Sequence, residues 1–236
     1  MKNSVKCPNC YTENPFFNSV CSSCGNYLRD RVYNLDLWST ISSLIETPTK
    51  AFQRIIFSEH KNFIYFILFF VCLKYVINVR FISMLSMGEF SSTIGLQYSY
   101  LIVLGITLIY FLMYSYIYSL VGKKKDIALR FKDTLAIVIY SQIPFLFGLI
   151  LLFTLELVLF GDYLFSKNPT PFIIKGFLAY LFLALECLTV IWSIFLTIKA
   201  FLAQSKQKLF GILSSIVFIV FLWLILFLCS LIVFTI

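Results

Sequence analysis

An all-α integral membrane protein is what this sequence predicts: a five-helix bundle headed by a small cysteine module and amphipathic interfacial helices. Three observations carry that expectation. Of 236 residues, 60% are hydrophobic and 13% charged, with a mean hydropathy of +0.91. After roughly sixty mixed residues the apolar ones gather into blocks of about 20, the length that crosses a bilayer as a helix. The bases cluster in alternate loops between those blocks. This composition leaves too little polar surface to coat a soluble domain and excludes a disordered chain or a disulfide-stapled secreted scaffold. The 19 Lys and Arg against 11 Asp and Glu give +8, a surplus that membrane topology explains, so no nucleic acid is expected as a partner.

At the N-terminus, Lys2 and Lys6 run straight into Cys7-Pro8-Asn9-Cys10, without an apolar stretch or a cleavage site. No secretory signal is therefore expected, and the N-terminus is expected in the cytosol. Cys7-x-x-Cys10 and Cys21-x-x-Cys24 are two turn-like pairs at the spacing of a small zinc site. Pro8 fixes one backbone dihedral in the first pair, and Gly25 follows the second pair where a left-handed residue lets amides point at sulfur. Some thirty residues bury too little core to fold alone, so a metal would supply most of the folding free energy. A structural Zn2+ held by Cys7, Cys10, Cys21 and Cys24 is the expectation; iron is admitted by the ligand type, and two disulfides suit a reducing cytosol poorly. Four thiolates close the coordination shell, which argues against a catalytic metal. The stretch from Cys7 to Asn14, followed by Val20 to Leu28, resembles the double-knuckle zinc-ribbon domain that often heads prokaryotic membrane proteins. It departs from that pattern at Tyr11, where the family usually has Gly, so a tighter or less regular first knuckle is expected.

Between residues 31 and 62, Leu37, Trp38, Ile41, Leu44 and Ile45 recur at three- and four-residue steps, predicting a helix with Asp36 as N-cap. Thr47-Pro48 starts a second helix with Phe52, Ile55 and Ile56 on one face and Lys50, Arg54 and Lys61 opposite. Such helices suit either the headgroup layer or the membrane domain itself. His60, the only histidine, is expected to be inert.

The five spans are predicted near 63–79, 97–121, 135–160, 172–198 and 209–236. The third contains Pro144 and is expected to be one kinked helix, with a separate interfacial helix before Pro144 as the alternative. Bases crowd the N-terminal tract, the loop holding Lys123, Lys124, Lys125, Arg130 and Lys132, and the loop holding Lys199, Lys206 and Lys208, while the other loops offer Arg80 and Lys167. The crowded side is expected to be cytosolic, which sends the C-terminus to the opposite face. Lys74, Glu156, Lys175 and Glu186 fall inside the predicted spans. Since a charge at the slab centre costs ~2.5 to 3.5 kcal/mol, each is expected to find a partner. Depth along alternating spans pairs Lys74 with Glu186 and Glu156 with Lys175, as a registry device or as an ion or proton relay. Cys72, Cys187 and Cys229 are expected to be apolar filler.

The stretch from Glu46 to Ile55, the segment Phe131 to Pro144 with its Tyr140-Ser141-x-x-Pro144 step, and Ile191-Trp192 to Lys199 resemble a prokaryotic member of the Yip family of membrane proteins. The resemblance implies the five-span fold. Eukaryotic members bind Rab-type GTPases in vesicle transport, but their Asp-Leu-Tyr-Gly-Pro signature is missing here. The implied role is a non-enzymatic membrane scaffold with the ribbon docking a cytosolic or membrane partner, in a chain that can form a homo-oligomer. A transporter component using Lys74 and Glu186 is the alternative. Enzymatic chemistry is not expected, because the predicted spans hold no Asp or His and the chain has no phosphate-binding Gly-rich loop.

Overall fold

The computed structural model describes residues 2–85, 95–165 and 169–234; Lys167 and Ile236, invoked above, lie outside them. Two three-residue strands, β1 (Ser4–Lys6) and β2 (Glu13–Pro15), pair antiparallel with Val5 opposite Asn14. All else regular is helical: α1 (Leu37–Glu46), α2 (Pro48–Phe57), α3 (Ile64–Leu85), α4 (Leu96–Lys124), α5 (Phe131–Tyr140), α6 (Ile143–Phe147), a π-helical turn (Gly148–Phe153), α7 (Thr154–Phe160), a 3-10 turn (Gly161–Phe165), α8 (Pro171–Ile174), α9 (Gly176–Ser205) and α10 (Lys208–Phe234). Five segments are long and apolar enough to cross a membrane: Ile64–Ile82, Gln97–Lys124, Phe131–Leu164, Gly176–Ser205 and Lys208–Leu231. The protein is a multi-pass helical membrane bundle, and exposed apolar side chains such as Leu101, Ile109, Met113 and Val220 are its lipid-contacting surface.

The chain divides into two compact units. The first gathers Met1–Ile64, Phe111–Ser141 and Phe195–Phe218; the second gathers Tyr65–Tyr110, Gln142–Ile194 and Ile219–Ile236. In the first unit the two cysteine knuckles repeat one backbone pattern. Tyr11 N donates to Cys7 O and Cys7 N to Thr12 O, as Gly25 N donates to Cys21 O and Cys21 N to Asn26 O. The residue after the second cysteine is left-handed in both, with φ of 59° at Tyr11 and 71° at Gly25. Tyr11 thus adopts the glycine conformation, which corrects the expectation of a tighter or less regular first knuckle. A Cβ costs roughly 1–2 kcal/mol in that region, so Tyr11→Gly should stabilise the knuckle by about 1 kcal/mol, read as a higher chelator concentration needed to unfold it.

Asp36 caps α1 as predicted, its Oδ1 accepting from Ser39 N at 2.7 Å. Pro48 opens α2, while the Thr47 side chain makes no capping bond. The apolar face of α2 (Phe52, Ile55, Ile56) is buried, and α2 packs on α1 and α5, so protein rather than lipid covers it. In α1, Ile41 and Leu44 are buried but Trp38 and Ile45 stay exposed. Lys61 does not join Lys50 and Arg54 on the outer side. It turns inward, donating to the carbonyls of Ile55, Ile56 (2.9 Å) and Ser58 (2.8 Å), where a cation satisfies the end of α2.

The third span is interrupted earlier than expected. The α-helical pattern lapses at Ser141–Gln142, and Pro144 falls in the first turn of α6, where its missing N–H costs nothing. Ser141 Oγ ties back to Val138 O at 2.7 Å and accepts from Thr197 Oγ1 at 3.1 Å, so the interruption leaves that hydroxyl satisfied inside the first unit. α5 thus stands as a helix of its own before Pro144, as the alternative has it, and the π turn follows α6 within the same apolar segment, so a single Pro-kinked helix does not describe it. The fourth span starts at Gly176, after a break at Lys175.

Candidate metal centre and intramembrane polar cluster

The two knuckles bring all four predicted cysteines together. Their sulfurs lie within 4.8 Å of one another, with Cys7 to Cys24 at 3.6 Å and Cys10 to Cys21 at 3.5 Å, and none is in a disulfide. A tetrahedron with Zn–S bonds of about 2.3 Å has edges of about 3.8 Å, so the set needs little adjustment to close on an ion. Amides support the charge. Backbone N–H groups of Cys24 and then Ser23 point at Cys21 Sγ and lower its thiol to about 6. The Thr12 hydroxyl lowers Cys10. At Cys24 the Asn26 amide also favours the thiolate, but Cys10 and the other neighbouring sulfurs, with burial, outweigh it and push that thiol up to about 11. Crowded sulfurs share protons reluctantly, and a divalent cation would replace those protons.

A residue outside the cysteine pattern holds the two knuckles together. Asn14, fully buried, donates from Nδ2 to Thr12 O (2.9 Å) and Cys21 Sγ (3.4 Å) and accepts at Oδ1 from Ser22 N and Ser22 Oγ, both at 2.9 Å. Its sequence signal was faint, since an Asn in a polar loop reads as a turn former.

The cysteine module is also fastened to the loop after α4 and to the last turn of α9, both in the first unit. Asn3, 1% exposed, donates to Ala128 O (2.8 Å) and Gln204 O (3.4 Å) and accepts from Ala128 N (2.7 Å). Lys2 N donates to Asp126 O, and the Arg29 guanidinium lies 3.7 Å over the Phe57 ring.

In the second unit, the predicted pair forms: Lys74 Nζ meets Glu186 Oε1 at 2.5 Å, with Lys74 fully buried. Gly148, at the start of the π turn, makes room for it. A Cβ there would lie 3.3 Å from Lys74 Cε, 3.6 Å from Thr189 Cγ2 and 3.8 Å from Glu186 Oε2. Gly148→Ala is expected to lower stability in detergent by about 1 kcal/mol, measured against Gly105→Ala, where nothing lies within 4 Å.

The second expected pair does not form. Lys175 lies at the break before α9, not inside a span, and its ammonium donates to Leu159 O at 2.9 Å, capping the end of α7. Glu156 is 5% exposed, its Oε2 has no hydrogen-bond partner, and it feels the charges of Glu186 and Lys74 instead. Nearby, Gln142 Oε1 accepts from Tyr75 OH (2.8 Å) and Ser193 Oγ (3.0 Å), a buried network with no precursor in the sequence reading. Its one available signal was the polar series Glu186, Thr189, Ser193 at helical spacing on α9.

A family profile described as the Yip1 domain matches residues 42–228, well over half of the chain. The chain belongs to the Yip1 domain family. No curated protein sequence and no solved structure matches it. The Yip1 match takes in Lys74, Glu156 and Glu186 and the Tyr140-Ser141-x-x-Pro144 step, and leaves the four cysteines outside it. Within this Yip1 chain the step has local work: Tyr140 OH donates to Asn62 O, and Ser141 bonds Val138 and Thr197 as above. The metal-capable module is thus an addition to the Yip1 segment, joined to it by Asn3 and Lys2.

Proposed function

We propose that this Yip1 protein is a non-enzymatic membrane scaffold. Residues 1–30 form a zinc ribbon, 31–62 connect it, and 63–236 form the membrane domain. The observation that carries the reading is the fastening of the cysteine module through buried Asn3, which presents the exposed Tyr11 and Tyr27 rings on a fixed support. A flexible tether would not need those bonds. Zinc fits the four-thiolate donor set better than any hard cation, and a closed shell makes its part structural. Base-rich loops favour a cytosolic ribbon in a prokaryotic inner or plasma membrane, with the last helix ending on the other side. Transport through Lys74 and Glu186 has less support, because each of these charges answers the other.

The scaffold reading is tested by photocrosslinking at Tyr11 and Tyr27 in native membranes. A discrete adduct that disappears in Cys21→Ser/Cys24→Ser is the expected result. Solute- or proton-dependent flux in proteoliposomes that is lost in Lys74→Met/Glu186→Leu, the variant expected to stay folded, would establish the transport alternative instead.

A further inference from the structure

A cavity of about 280 Å³ opens in the first unit between the Phe17–Val20 loop, the end of α2 and the start of α5. Its charged lining is Lys61, Arg130, Lys132, Glu59 and Asp133. Glu59 is engaged elsewhere, with Arg31 at 2.7 Å. Asp133 holds Lys61 at 3.0 Å and Arg130 at 2.7 Å, fixing both cations on the wall with one negative charge between them. With Lys132 the lining holds three positive charges against two negative ones, and one of the two, Glu59, is already paired with Arg31 outside the lining. Ser58 and Asn18 add neutral hydrogen-bonding groups.

The neighbourhood is short of anions. Burial, then the repulsion of Arg130, lowers the Arg29 guanidinium, whose Nε is buried without a partner. Burial lowers the Lys61 ammonium despite Asp133, with Arg130 adding to the effect, and burial and then Arg29 lower Lys206. Of these cations Lys61 lines the cavity, so an anion bound there would relieve Lys61 and its neighbour Arg130 directly. Depth along the chain indicates where such an anion comes from. Lys61 precedes the first span, which begins at Ile64, by three residues, and Arg130 immediately precedes the third, which begins at Phe131. Both flank candidate spans in base-rich loops, where an anionic lipid headgroup is the nearest abundant anion. The volume falls just below the range of ligand pockets, about 300–1,000 Å³, which suits a small anionic headgroup and not an acyl chain.

We propose that this cavity is a binding site for a phosphate-type anion, supplied by an anionic lipid headgroup or by a free phosphate ester. The test uses the full-length, metal-loaded protein. Native mass spectrometry and thermal unfolding are run with inorganic phosphate, with glycerol phosphate, and with phosphatidylglycerol against phosphatidylcholine in nanodiscs. Lys132 is exposed and makes no bond that folding requires, so Lys132→Gln is the primary variant, and Lys124→Gln on the end of α4 is its charge-matched control. Lys132 lines the cavity and Lys124 does not, so loss of a charge-assisted contact should make Lys132→Gln weaken inorganic phosphate binding about fivefold while Lys124→Gln leaves it unchanged. Retention of phosphate or its ester alone identifies a soluble source; retention of phosphatidylglycerol alone identifies the lipid. Equal losses in the two variants, or no anion retained in any arm, would overturn the site.

Discussion

Lys74→Met is expected to cost this protein about 3–5 kcal/mol of stability, the penalty for leaving one member of a buried ion pair without its partner. The number is large because Lys74 is fully buried and Glu186 stands 2.5 Å from it within an apolar segment. Removing the ammonium leaves Glu186 beside Glu156, two carboxylates with no counter-ion. Glu186→Gln is expected to be comparably harmful, since it strands the ammonium. Lys74→Met/Glu186→Leu removes both charges and should recover most of the loss, because a buried pair replaced by apolar groups is often neutral or better. The measurement is the unfolding midpoint in detergent for the two singles, the double and the swap Lys74→Glu/Glu186→Lys. A double no more stable than the worse single would show that the two residues are not coupled.

The second large effect concerns the metal. Cys21→Ser/Cys24→Ser is expected to reduce bound zinc from one per chain to none, and to expose the first 30 residues to protease. Structural zinc contributes an apparent ~10–16 kcal/mol to small modules, far more than the two short strands can supply. Loss should spread to the loop after α4 and the end of α9, since Asn3 bonds the backbone of Ala128 and Gln204. Acid should act in the same direction: the metal-free thiols bind more protons than the metal-bound set, so falling pH favours release. Metal analysis after gel filtration at stepped pH, paired with limited proteolysis, reads both. One zinc per chain retained by the double variant would remove the cysteines as its ligands.

Much of this was legible in the residues themselves. The cysteine spacing located the cluster because a Cys-x-x-Cys turn is a local device, and Asp36 announced the start of α1 because capping acts over three residues. Lys74 and Glu186 could be matched from depth alone, as bilayer thickness ties residue number to height. Lys175 and Glu156 could not. Depth ignores helix breaks, and the break at Lys175 turned that ammonium to the Leu159 carbonyl.

By itself, then, the chain determined the five segments long and apolar enough to cross a membrane, the metal-capable donor set and the first helix cap, all of which arise from composition and short-range spacing. Tertiary packing alone decided that Lys61 turns inward to Asp133, that Gln142 gathers Tyr75 and Ser193, and that Asn3 fastens the cysteine module. Each of these joins residues far apart in sequence. No local pattern encodes such a choice, because its free energy exists only once the partner is in place.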